Sequence, residues 1–288
     1  MTILRFLQEV DRRFLYALLI LAVTIPFFLP LNLPNVPSPP TIALFNEIEN
    51  LPPNAFVLLG VDWSAGTRGE NLPQTEMLIR HLMKRKLRFA LIDFADPQGK
   101  LLGEEIAQRL QGEYGVQEGV NWVNMGYRTS DMINVLKAFE QNVISAVPTD
   151  VNNRPLASLA VMQGIHTAHD ISMVIDVTPS TTYQAFIQFL GGPYHIPMAA
   201  AMTAVMVPEA YNYFDSRQLV GMIPGLQGAA EYQRLFEEKY GKIPGTTSTQ
   251  QFSNSLSFAH LLMILLIILG NVAMILERRH KARMGGPA

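Results

Sequence analysis

The sequence predicts an α/β fold, a doubly wound, mostly parallel sheet domain flanked by one transmembrane helix at each end. Three observations carry this reading. Long uncharged runs lie near both termini, and short apolar runs alternate with amphipathic stretches between them. Charge also divides by segment: residues 41–245 hold 15 Lys/Arg and 21 Asp/Glu, and the two ends together hold 7 and 3. Strands alternating with helices imply right-handed crossovers and a parallel sheet covered on both faces. Continuous rather than alternating apolar runs suit strands buried on both sides.

Residues 1–13 form a short basic tail, and residues 14–31 (FLYALLILAVTIPFFLPL) are an uncharged run of 18. A helix needs about 20 apolar residues to cross a hydrocarbon core near 30 Å. Pro26 and Pro30 kink or end this one. Residues 32–40 (NLPNVPSPP) read as a stiff, extended spacer. The domain then occupies 41–243. A buried strand covers 55–62, and Asn71 with Gln74 three residues on forms a capping box for a helix to about 86. Strand 88–94, helix 100–114 and a weaker strand at 120–125 follow. Met132, Leu136, Phe139 and Val143 make one apolar stripe on a helix over 129–143.

Residues 145–154 read as a polar, mobile loop, and Pro155 opens a helix to about 169. Strand 171–177, helix 180–190, a fifth strand at 196–207 and a helix at 227–240 complete the domain. The glycine-rich stretch from Gly221 to Gly228 reads as a bend before the last helix. Its apolar residues Leu219, Met222, Ile223 and Leu226 are candidates for a surface facing a partner or the bilayer. A polar spacer at 244–255 leads to a second uncharged run of 21 residues at 256–276 and a basic tail at 277–288.

Arg5, Arg12 and Arg13 precede the first span, and Arg278, Arg279, Lys281 and Arg283 follow the second. No Lys or Arg lies between Phe14 and Thr67 or between Ile243 and Glu277. The positive-inside rule therefore places both termini in the cytoplasm and the central domain in the periplasm or outside the cell. The first run exceeds a signal peptide's usual apolar region and lacks a small-x-small cleavage site after it, so it is expected to be retained. In the second run His260 and Asn271, 11 residues apart, share a helix face and are candidates for packing against the first span or a partner.

The chain has no cysteine, which removes disulfides, thiolate nucleophiles and zinc–thiolate or Cys-ligated iron–sulfur sites. A net charge of −2 argues against a nucleic-acid partner. Neither a Gly-x-Ser-x-Gly elbow nor a phosphate-binding Gly-x-x-x-x-Gly-Lys-Ser/Thr loop occurs. His166 and His169 lie at a helix end without the third ligand of a zinc site. Chemistry is therefore sought at the carboxyl ends of the strands, where doubly wound sheets bind ligands. Asp62, Asp93 and Asp176 end the first, second and fourth strands, with Asn124 near the end of the third. Ser64, Thr67, Arg68 and Glu70 follow the first strand, and Tyr127 and Arg128 follow the third. Three carboxylates supply oxygen ligands suited to Mg²⁺ or Ca²⁺. The same residues equally serve as helix caps and acceptors for loop amides.

The stretch Asp62-Trp63-Ser64-Ala65-Gly66 resembles the Asp-x-Ser-x-Ser metal-ion-dependent adhesion motif of von Willebrand A domains, with Gly66 in place of the second hydroxyl. It also resembles the start of a haloacid-dehalogenase phosphatase loop, with Ser64 in place of the second Asp. Each resemblance implies a divalent cation at Asp62, and each departure removes a group that chemistry uses.

Three functional expectations follow. The first is a non-enzymatic subunit of a membrane complex for transport or envelope assembly, in contact with the bilayer and with a membrane-protein partner or a second copy. The second is an exoplasmic metal-dependent enzyme or binder built on Asp62, Asp93 and Asp176. The third is a sensor, which would need a partner because its tails are too short for an output domain.

Overall fold

Neither face of the apolar runs offers a polar side to water, so they assemble as the inside of a sheet. The computed structural model describes residues 11–28, 36–128, 132–243 and 249–283. Six strands pair in parallel: β1 (Phe56–Val61), β2 (Arg88–Asp93), β3 (Trp122–Tyr127), β4 (Met173–Thr178), β5 (Met198–Met202) and β6 (Gly221–Pro224). Their order is β3-β2-β1-β4-β5-β6. The chain winds outward from β1 through β2 to β3, then returns to β1's other side for β4. The reversal falls between β1 and β4, where Gly60 pairs with Asp176 and an open α/β sheet forms its ligand crevice.

Side chains alternate across each strand, so the sheet carries two cores. One holds Val57, Leu59 and Val61 of β1 against helices Arg68–Lys84, Gly99–Tyr114 and Gly225–Tyr240. The other holds Phe56 and Leu58 against Leu136, Phe139, Tyr183 and Phe186. Helices on both faces make the sheet doubly wound, and every strand pair is parallel.

The helices introduced here are α1 (Arg12–Phe28), α2 (Pro39–Asn50), α3 (Arg68–Lys84), α4 (Gly99–Tyr114), α5 (Met132–Ala138), α6 (Thr182–Phe186), α7 (Val207–Asp215), α8 (Gly225–Tyr240) and α9 (Thr249–Arg283). Several differ from the sequence reading. The proline-rich segment ends sooner than expected because Pro39 and Pro40 open α2, the helical position where a missing amide hydrogen costs nothing. α3 begins at Arg68, so Asn71 and Gln74 are internal, buried residues and not a capping box. The stripe from Met132 to Val143 is interrupted: α5 ends at Ala138, and Asn142 caps a separate turn, Val143–Ala146, by accepting from Ser145 N.

The segment after Pro155 forms three 3-10 turns and no long helix, with Gly164 at φ +78° between the second and third. The preceding loop is pinned, since Asp150 accepts from the amides of Asn152 and Arg154 and pairs with the Arg154 guanidinium. The glycine-rich stretch is β6 followed by α8, and Met222 and Ile223 are core. Gly221 is required there: a Cβ would stand 2.4 Å from the Leu44 amide nitrogen of α2.

α2 is held at both ends. Glu231 Oε2 accepts from Ser38 N (2.9 Å), Ser38 Oγ (2.6 Å) and Thr41 Oγ1 (3.0 Å). At the other end Glu49 meets His81 (3.0 Å), Lys239 (2.8 Å) and Tyr240 (2.5 Å). A carboxylate only accepts, so His81 Nε2–H donates to Glu49 and Nδ1 accepts from Tyr232 Oη at 2.6 Å.

The terminal segments, Met1–Pro34 and Thr246–Ala288, form a unit separate from Asn35–Gly245. Within it α1 and α9 lie side by side. One helix among the described residues is long and apolar enough to cross a membrane, over Gln251–Leu276. Ile264, Ile267, Ile268 and Leu261 are more than half exposed there, a surface suited to lipid and costly in water. The helix starts at Thr249, so much of the expected polar spacer is its first turns. α1 spans 17 residues with Pro26 inside, and the last part of the expected first span, 29–31, lies outside the described residues. Ser253, Asn254, Ser255, Ala259 and Ala273 are buried in this stretch, whereas His260 and Asn271 are exposed.

Candidate functional site at the sheet switch point

β1 delivers Asp62 to the carboxyl edge, and its backbone amide still bonds Val177 O at 2.9 Å. Asp93 ends β2 on one side, and Asp176 sits in β4 on the other. The Asp62 carboxyl lies within hydrogen-bonding reach of both. The structure therefore gathers the three carboxylates singled out from the sequence, with Asp62 in the middle. All three are closed off from solvent, at 1%, 0% and 0% exposure.

Their oxygens are mostly spent inward. Asp62 Oδ1 accepts from the amides of Phe94 (2.5 Å) and Ala95 (2.9 Å). Asp93 Oδ1 accepts from Ala95 and Asp96 N, and its Oδ2 accepts from Lys100 N at 3.1 Å, holding the first turn of α4. Asp176 Oδ2 accepts from Thr182 Oγ1 at 2.6 Å, holding the first turn of α6. Among the described residues two of these oxygens have no donor, Asp62 Oδ2 and Asp176 Oδ1.

Burial disfavours the charged forms. It pushes the Asp62 carboxyl well above the usual range, with the nearby Asp176 charge adding to it. Burial and then the Asp62 charge raise Asp93 to about 8. Burial raises Asp176 to about 6, against hydrogen bonds from Thr182 and Asp62 that favour its charge.

The other expected site residues stand apart from this trio. Ser64 caps the turn Ala65–Thr67 through its carbonyl, which accepts from Thr67 N at 3.0 Å, and Arg68 is exposed at the start of α3. The Arg128 amide donates to Asp93 O at 2.8 Å, but its guanidinium turns to the carbonyls of Met125 and Thr149, closing the end of β3. Burial lowers its pKa. Asn124 Nδ2 donates to Lys100 O at 2.9 Å. Among the described residues no three His, Cys, Asp or Glu side chains are disposed to hold a metal ion.

Sequence reasoning missed the residues that close the edge. Phe94 and Phe186 meet edge to face at 5.9 Å. Gly60 makes room beneath them, since a Cβ there would lie 3.3 Å from Phe186 Cε2. A glycine inside an otherwise apolar strand was the available signal, because it marks a close approach. Gln74 was read as a cap, yet its Nε2 donates to the carbonyls of Met202 (2.8 Å), Gly225 (3.0 Å) and Ile223 (3.2 Å). It ties the ends of β5 and β6 to α3. Gln74→Met is expected to cost about 2–3 kcal/mol by leaving those buried carbonyls without their donor. A urea midpoint unchanged from wild type would contradict that role.

A surface cleft of about 690 Å³ opens at the opposite, amino edge, lined by Gln184, Gln188, His195, Met198, Tyr213 and Arg217 among others. It lies away from the carboxylates. His195 and Arg217 adopt left-handed backbones there, at φ +54° and +61°, each just beyond the end of a short helix. Compared with known families and with curated proteins, the sequence matches none.

Proposed function

We propose that the chain is a non-enzymatic subunit of a membrane complex, anchored by a helix at each end and presenting its α/β domain outside the cytoplasm. The observation that carries this reading is the state of the carboxyl edge. Asp62, Asp93 and Asp176 spend most of their oxygens on the loops and helices around them, and Phe94 packs edge to face on Phe186. An edge built to hold its own loops supports a scaffold better than a catalytic centre. The basic residues beyond both apolar segments, with none just inside them, support the orientation. The exposed apolar surface of α9 supports the anchor. α1 is the second anchor in this reading, lying alongside α9.

The test is purification of the tagged full-length protein from its native membrane in mild detergent, with mass spectrometry of what accompanies it. Stoichiometric membrane-protein partners, or a defined oligomer of the chain itself, are expected. A lone monomer in native membrane extracts would contradict the subunit role.

A further inference from the structure

Two carboxyl oxygens beside Gly60 at the switch point have no hydrogen-bond donor among the described residues. Asp62 Oδ2 and Asp176 Oδ1 both lie around Gly60, where a Cβ would stand 3.2 Å from the first and 2.7 Å from the second. Both side chains are buried. Two acceptors this close and this dry repel unless a proton joins them, which turns one into a donor.

We propose that Asp62 and Asp176 share one proton through these oxygens, and that this bond latches the switch-point crevice shut until the proton is lost. The latch follows from what each carboxyl holds with its other oxygen. Asp62 Oδ1 holds the Phe94 amide, so Asp62 carries one half of the closure. Asp176 Oδ2 holds Thr182 at the start of α6, whose last residue is Phe186, the other half. The two rings meet edge to face, and Phe186 lies against Gly60. Removing the proton places two like charges between the halves.

The groups facing the pair fit this arrangement. From β2 comes the Asp93 carboxyl, itself committed to Ala95, Asp96 and Lys100 amides. From the end of β4 and α6 come the hydroxyls of Thr178, Ser180 and Thr182, which bond one another in a chain ending on Asp176. The buried Tyr183 hydroxyl lies near enough to Asp176 and Glu209 to feel both charges. The upward shifts of Asp62 and Asp176 agree with a held proton. This inference does not depend on the membrane-complex reading.

The experiment uses the full-length protein in detergent micelles, with infrared spectroscopy and hydrogen exchange at about pH 5 and about pH 9. Wild type should show a protonated-carboxyl band at the lower pH that is lost at the higher. Exchange of amides 94–96 and 182–187, corrected for intrinsic rates, should then rise by about tenfold or more. Asp176→Asn supplies a permanent donor, so its exchange should change less than about twofold over the same range. Thr182→Val, which cuts one half of the closure from its carboxyl, should exchange fast at both pH values. Asp93 contributes to the same band, so the decisive comparison is the band's intensity: a band undiminished from wild type in both Asp62→Asn and Asp176→Asn would overturn the proposal. So would saturable protection of these amides by added Mg²⁺ or Ca²⁺, which would make the gap a cation site.

Discussion

Gly99→Ala is expected to prevent the domain from folding. Gly99 opens α4, and a Cβ there would lie 1.9 Å from the Val61 carbonyl oxygen and 2.6 Å from Asp93 Oδ2. Neither neighbour can give way. The Val61 carbonyl belongs to the central strand, and Asp93 is fixed by three amides. Withdrawing α4 would break the Lys100–Asp93 bond and lift Ile106, Ala107 and Leu110 from the core. The cost should exceed about 4 kcal/mol, a large part of a domain's total stability. Gly69→Ala is the matched control: a helical glycine with nothing within 4 Å of its Cβ position. It should be neutral or stabilising by about 0.5–1 kcal/mol. Soluble yield and urea midpoints compare the two, and a folded Gly99→Ala protein with a near-wild-type midpoint would refute the close approach.

Glu49→Leu should be the next most damaging change, at about 3 kcal/mol, the lower end for removing one partner of a buried ion pair, because His81 is buried but Lys239 is half exposed. It strands His81 Nε2–H, which is fully buried, and removes the acceptor shared by Lys239 and Tyr240. It also alters the pH response. Burial alone would raise the Glu49 carboxyl, but hydrogen bonds from His81, Lys239 and Tyr240 outweigh it and hold the pKa at about 2. Its contribution is therefore present above the ordinary carboxylate range and is lost as pH falls towards 2. Burial lowers the His81 pKa against the pull of Glu49, so its contribution also fades as pH falls below the usual histidine value.

The switch-point carboxyls have the opposite sign. Their folded pKa values are raised, so their contribution is present at acid pH and is lost as pH rises through about 6 for Asp176 and about 8 for Asp93. Stability should therefore peak between these limbs. Asp176→Asn should flatten the alkaline limb and raise the melting temperature at about pH 8 by several degrees. Glu49→Leu should flatten the acid limb. An alkaline limb of the same slope in Asp176→Asn would contradict the assignment.

The strands were the legible part of the domain. Runs such as 56–61 and 88–93 are largely apolar on both faces, and their shortness and flanking turn residues favour strands buried on both sides over helices. The three strand-end aspartates followed directly, since parallel strands bring their carboxyl ends to one edge. What failed was local and short. β6 is four residues of Gly-Met-Ile-Pro, too brief for periodicity to register. α2 begins with two prolines, which read as a spacer although proline suits the first helical turn. The segment from Pro155 has helical composition, but a positive-φ glycine and a Thr167–Asp170 capping box divide it into single turns.

Which oxygen of an aspartate is spent and which is free depends on loop amides from residues 94–100. No spacing rule reveals that. The expected seam of His260 and Asn271 rested on the 3.6-residue period, which places residues on one face without saying which face is covered. In this chain alone the covered positions are Ser253, Asn254, Ser255, Ala259 and Ala273.

Which side of the membrane the domain occupies is directly measurable, because the chain has no cysteine. A single cysteine would be introduced at Val205, which is 80% exposed on the domain, or at the exposed Arg279, past the apolar stretch of α9. Intact cells or spheroplasts would then be treated with a membrane-impermeant maleimide. Val205→Cys should label without lysis and Arg279→Cys only after it. Labelling of Arg279→Cys in intact spheroplasts, with Val205→Cys protected until lysis, would place the domain in the cytoplasm and contradict the account.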